Sequence, residues 1–188
     1  MLRKTFKIDR GGYDGPFEVR LAVGAITVAF ARWRRQQIGL FVVADGVGIY
    51  TGQAGQFAKD RAFNDDVKDF AADMADEHGT ARERQTALFT RSGIVPLENA
   101  TSQELRKDNE QLLASLQGLA GNVFDRTYMD GQVKAHNKVL TLLDTQILPT
   151  VLNSELRDEF TGMRADVAEH LMRAQELLLQ IPLSKTTR

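Results

Sequence analysis

The sequence predicts an all-α protein: an antiparallel four-helix bundle with a short extra helix in the connector between the second and third long helices. Three observations carry this expectation. Apolar residues recur at spacings of three and four along four long segments, as in helices with one buried face. No stretch alternates apolar and polar residues as a half-buried strand does. Helix punctuation bounds the segments: Asn64 before Asp65 and Asp66, Gly93 then Pro96, Pro149, Asn153, and Pro182. Helices with single apolar stripes must bury them on one another, and an antiparallel bundle does so with short loops.

The first helix is expected over 39–62, with Val43, Val47, Tyr50, Ala54 and Phe57 on its apolar line. Beside it runs a nearly bare line of Ala44, Gly48, Gly52, Gly55 and Ala58. Each interior glycine costs a helix about 1 kcal/mol relative to alanine. Close approach of a neighbouring helix is the expected compensation. "DGVGIYTG" is glycine-rich but lacks the G-K-[ST] ending and the preceding strand of a phosphate loop.

The second helix starts at Asn64, an N-cap, with Asp65 and Asp66 placed where the helix dipole favours acids. Its inward stripe is Val67, Phe70, Ala71, Met74, His78, Ala81, Gln85 and Leu88. A capping box from Thr101 to Glu104 announces the connector helix over 102–117, which "GLAG" breaks. The third long helix spans 122–147 and stops before Pro149. The fourth, capped by Asn153, spans 154–180, with Leu156, Phe160, Met163, Val167, His170 or Leu171, Ala174 and Leu178 inward.

With 188 residues and 43% hydrophobic content, the chain can build one core. Its net charge of −1 argues against a broad nucleic-acid surface. The absence of cysteine excludes disulfides, thiolate metal ligands and cysteine nucleophiles. No apolar run approaches the ~20 residues of a transmembrane helix. "LAVGAITVAFA" (21–31) ends in the A-x-A pattern of a secretion signal, but acids precede it and "RWRR" follows. Residues 1–37 are therefore expected to lie outside the bundle as a degenerate signal or the product of a start placed too far upstream. Residues 38–182 form the bundle and 183–188 a tail.

The three histidines, His78, His136 and His170, fall on three different long helices. Asp125, Tyr128, Gln132 and His136 follow one another at spacings of three, four and four, a polar line on a helix that must bury a face. In an antiparallel arrangement His170 lies ~7 Å from the His136 level, so the rings share one layer. Two readings follow. In the first, a buried polar layer of the histidines with Tyr128, Gln132, Asp125 and Asp166 fixes helix register in a non-catalytic bundle. In the second, His78, His136, His170 and Asp125 hold one zinc, copper or iron ion. The spacing favours the first. A di-iron carboxylate site is disfavoured, because Ala75 and Val167 stand where Glu-x-x-His would place glutamates. Asp125 and His136 cannot form an acid–base pair, being ~16 Å apart along one helix. No serine or threonine sits in a strand-turn-helix elbow. A third reading, an interaction scaffold for unidentified protein partners, rests on charged stretches such as "RERQ" (82–85) and "RKDNEQ" (106–111), which are ordinarily solvated faces.

"VKDFAADMADEH" (67–78), "SGIVPLENATSQEL" (92–105), "FDRTYMDGQVKAH" (124–136) and "AEHLMRAQEL" (168–177) together resemble the bacterial family labelled domain of unknown function 4142. The resemblance covers about 39–180 and carries the FD-x-x-Y-x(7)-H pattern with the DEH and EHL histidines. It implies a ferritin-like fold, usually made with a secretion signal, and hence a periplasmic, envelope or stress-related setting. It also implies that Phe124, Asp125, Tyr128 and the three histidines are signature positions. It supplies no reaction. The chain departs from the pattern near Thr51, where members commonly carry a glutamate, and in its N-terminus, which is not a clean signal and leaves a cytoplasmic setting open.

Overall fold

A computed structural model describes residues 52–183. Expectations for 1–51, including most of the first helix and its Val43, Ala44, Val47, Gly48 and Tyr50, lie outside the described residues, as does 184–188. Every element among the described residues is helical. The order is α1 (52–59), α2 (Asp65–Arg91), α3 (Ala100–Leu116), α4 (Gly121–Leu142), a π turn (Leu143–Ile147) and α5 (Ser154–Gln180).

The ends obey the punctuation in the sequence. The Asn64 side chain accepts from Val67 N at the start of α2, and Asn153 accepts from Leu156 N at the start of α5. Gly93, with φ of 65°, lets α2 close in a Schellman turn. Ile94 N donates to Phe89 O and Gly93 N to Thr90 O, while Ile94 packs against the core cluster that holds Phe89. At α3 the expectation needs correcting. The cap is Asn99, not Thr101: its side chain accepts from Thr101 N and Ser102 N, and Ser102 Oγ accepts from Asn99 N. Asparagine is at least as good a cap as threonine, so the helix begins a residue or two early. α4 also ends differently. Its last turn widens, with Leu148 N bonded back to Leu143 O, which keeps both Leu143 and Ile147 buried before Pro149 stops the run.

Neighbouring helices run antiparallel. Along α2 and α5 the contacts descend in one as they rise in the other: Asp73 with Arg173, Glu77 with His170, Arg84 with Glu159, Arg91 with Glu155. On α4, Arg126 donates to the Leu178 and Ile181 carbonyls, and Asp144 just beyond it pairs with Arg164. Lys138 of α4 pairs with Glu104 and Asp108 of α3. α1 approaches α2 closely at Gly55, where a Cβ would stand 2.7 Å from Ala71 O and 3.0 Å from Ala75 N. The bare line has the role expected of it at this position.

The core forms two apolar clusters. One holds Leu88, Phe89, Leu105, Val139, Leu143, Ile147, Phe160 and Met163. The other holds Ala54, Ala58, Phe70, Met74, Leu116, Phe124, Tyr128 and Ala174. Along α2, α4 and α5 alike, a buried histidine stands between the residues of one cluster and those of the other.

Candidate functional site

The position of that waist follows from helical spacing. On α2, His78 is one turn beyond buried Met74 and ten residues before buried Leu88. On α4, Phe124, Tyr128, Gln132, His136 and Val139 share the inward face. On α5, His170 sits between Val167 and Ala174. The three imidazoles converge, with ring centroids 5.9 Å apart for His78 and His136, 5.6 Å for His78 and His170, and 5.5 Å for His136 and His170. One nitrogen from each ring lies within 4.8 Å of the others. All three side chains are buried.

Hydrogen bonds orient two of the rings. His136 Nδ1 lies 2.8 Å from Gln132 O, and a carbonyl can only accept, so Nδ1–H donates. In the neutral ring this leaves the lone pair on Nε2. His170 Nε2 lies 2.5 Å from Glu77 Oε2, so Nε2–H donates to the carboxylate and Nδ1 carries the lone pair of the neutral ring. Those two nitrogens, with His78 Nε2, meet no protein hydrogen-bond partner. Burial, then the charges of neighbouring rings, holds His78 down at about 3. Burial likewise holds His136 down at about 4, against the opposing pull of the Gln132 carbonyl. Both rings are thus neutral at pH 7, the form in which imidazole ligates a metal.

The other expected site residues divide. Asp125 is fully buried, but its two oxygens accept from Phe63 N at 2.9 Å and Asn64 N at 2.8 Å, where α1 turns into α2. It clamps that turn and is not among the groups that converge with the histidines. Its expected place among metal ligands is corrected, because eleven residues of helix separate it from His136 and backbone amides occupy its oxygens. Asp166 is also corrected. It is exposed at the edge of α5 that faces α2, 4.0 Å from Arg84, because the inward positions around it are Met163, Val167 and His170. Tyr128 and Gln132 are fully buried as expected, yet Tyr128 Oη and both Gln132 amide atoms lack protein partners. Burial raises the Tyr128 phenol and keeps it protonated.

Glu77 was missed by the sequence reading. It adjoins His78, and successive helical residues point about 100° apart. When His78 faces inward, its neighbour can therefore edge toward α5. The pair of facing partners 93 residues apart is what local spacing does not reveal.

The helices and the buried histidine triad define, among the described residues, an all-helical fold with a polar waist in its core. The chain belongs to the family labelled domain of unknown function 4142, whose sequence pattern matches residues 42–177. No curated relative and no solved structure matches it.

Proposed function

We propose that the protein is a ferritin-like four-helix bundle, built from α1, α2, α4 and α5, that binds one transition-metal ion through His78, His136 and His170. The observations that carry this reading are the convergence of three imidazoles from three helices, one nitrogen of each within 4.8 Å of the others, and a nitrogen without a protein partner on every one of the three rings. Each buried acceptor left unsatisfied costs ~1–3 kcal/mol, which a ligated cation recovers. Nitrogens on a tetrahedral ion with bonds of ~2.0–2.1 Å stand about 3.4 Å apart, so small rotations bring ring nitrogens already within 4.8 Å of one another into that set. Glu77 behind His170 forms the carboxylate–histidine pair that fixes a ligand's tautomer and raises its basicity. An all-imidazole set suits zinc, copper or iron. The role is metal holding, with no reaction assigned. Family resemblance favours an exported or envelope setting, which fractionation of cells expressing the untagged full chain would test.

The test is metal content and metal-dependent melting of the full chain beside a His78→Ala/His136→Ala/His170→Ala variant. Free metal at a hundred times Kd adds ~2.7 kcal/mol of stability, or roughly 5–10 °C in Tm for a chain of this size. The wild type should bind one equivalent and show this shift, and the variant neither. No binding by the wild type sinks the proposal.

A second reading is favoured by the hydrogen bonds of His136 to Gln132 and His170 to Glu77: a polar layer that fixes helix register. On that reading His136→Gln costs about 1–3 kcal/mol whether or not metal is present. On the metal reading the same variant also loses the metal-dependent rise.

A further inference from the structure

A metal site in the middle of a core needs an entry path. We propose that the cavity between α2 and α5 is the loading route by which a hydrated divalent cation reaches the histidines, with Asp76, Glu77 and Asp166 forming its acidic mouth. This rests on the metal-binding reading above.

The cavity encloses about 280 Å³, and both His78 and His170 line it. They are 5% and 8% exposed, and each carries a nitrogen without a protein partner. The path therefore ends at two of the three rings, whose unpartnered nitrogens are covered from solvent and are reached by a turn of the ring. Its lining sets three carboxylates, those of Asp76, Glu77 and Asp166, against the single guanidinium of Arg84. Arg84 is shared between Glu159 at 3.4 Å and Asp166 at 4.0 Å, so it offsets at most one of the three and the mouth keeps an acidic excess. A cleft lined by one sign of charge focuses the field and raises the local concentration of the opposite ion. Carboxylate oxygens also suit a cation still carrying its water. Glu77 bridges the two environments. Its side chain is 56% exposed, yet Oε2 touches His170 Nε2 at 2.5 Å. Glu77 thus ties the acidic mouth to His170 through the ring nitrogen opposite the one left for the metal.

A cavity between α3 and α4 makes the contrast. It is larger, about 500 Å³, but none of the histidines lines it. Its acids, Asp108 and Asp130, are matched by Lys138 and Lys134, which pair with them. It offers volume without a field.

The experiment mixes metal-free full-length protein with Co²⁺ alone and follows the cobalt absorption band by stopped flow. Asp76→Asn/Asp166→Asn removes two exposed mouth charges and no proposed ligand. Asp108→Asn/Asp130→Asn makes the same change in net charge on the other side. The mouth variant should bind about five- to tenfold more slowly at low ionic strength, with a flatter salt dependence. Its final stoichiometry and spectrum should equal those of the wild type, and the control variant should keep the wild-type rate. A mouth variant that binds at the wild-type rate, or a control that slows equally, overturns the route while leaving the metal site standing. A wild type that takes up no cobalt overturns both.

Discussion

Asp125 shows what one residue contributes here and why its role was misread from the sequence. The spacing Asp125, Tyr128, Gln132, His136 was legible, and it correctly puts all four on a buried face. Where each polar end finds a partner was not, because the partners of Asp125 are the amides of Phe63 and Asn64, some sixty residues away. Those amides open α2, where the helix dipole also favours negative charge. Two charge-assisted bonds to a buried carboxylate make this a costly site to empty. Asp125→Ala should destabilise the chain by about 3 kcal/mol, and Asp125→Asn, which keeps one acceptor, by about half as much. Urea unfolding would measure both. A cost for the alanine variant below ~0.5 kcal/mol would mean the clamp contributes no more than an ordinary surface residue.

At the scale of the helix, the same residue type has opposite meanings at different positions. Gly55 is required by packing: any Cβ meets the backbone of α2, which cannot swing aside. Gly79 and Gly162 lie within α2 and α5, and a Cβ at either meets nothing within 4 Å. Gly55→Ala is expected to cost about 1–3 kcal/mol by pushing α1 off α2. Gly79→Ala and Gly162→Ala are expected each to stabilise by up to ~1 kcal/mol through helix propensity alone. Thermal melts of the three variants decide the matter by sign. The line of small residues through Gly55 was legible because it repeats with helical period. The helix ends were mostly legible too, since Asn64, Gly93, Asn153 and Pro149 act on their immediate neighbours. The Asn99 cap was missed because two adjacent capping patterns competed and spacing alone does not rank them. The π turn was missed because its cause is tertiary: Leu143 and Ile147 both face the core.

Across the whole molecule, apolar clusters on both sides of the histidine layer make it a place where charge is expensive. An unfolded histidine takes a proton near pH 6.5, but in the fold His78 does so only at about 3 and His136 only at about 4. Between these values the unfolded chain binds more protons than the native one. Stability must therefore rise with pH through that window and fall as acid is added. The contribution is fully present above pH 6.5 and is lost progressively from there down toward pH 3–4. Each ring adds a slope approaching ~1.4 kcal/mol per pH unit. Metal-free protein should thus lose about 2 kcal/mol or more between pH 6 and 5, and His78→Gln/His136→Gln should flatten the profile. Urea unfolding at pH 7, 6 and 5 would show it; a flat wild-type profile would mean that water reaches the rings. Bound metal should steepen the same window, because each proton that enters the layer removes a ligand as well as a neutral core group. Loss of metal and loss of the fold are then expected to coincide on acidification of the wild type, while the triple-alanine variant shows neither the metal-dependent part nor its pH dependence.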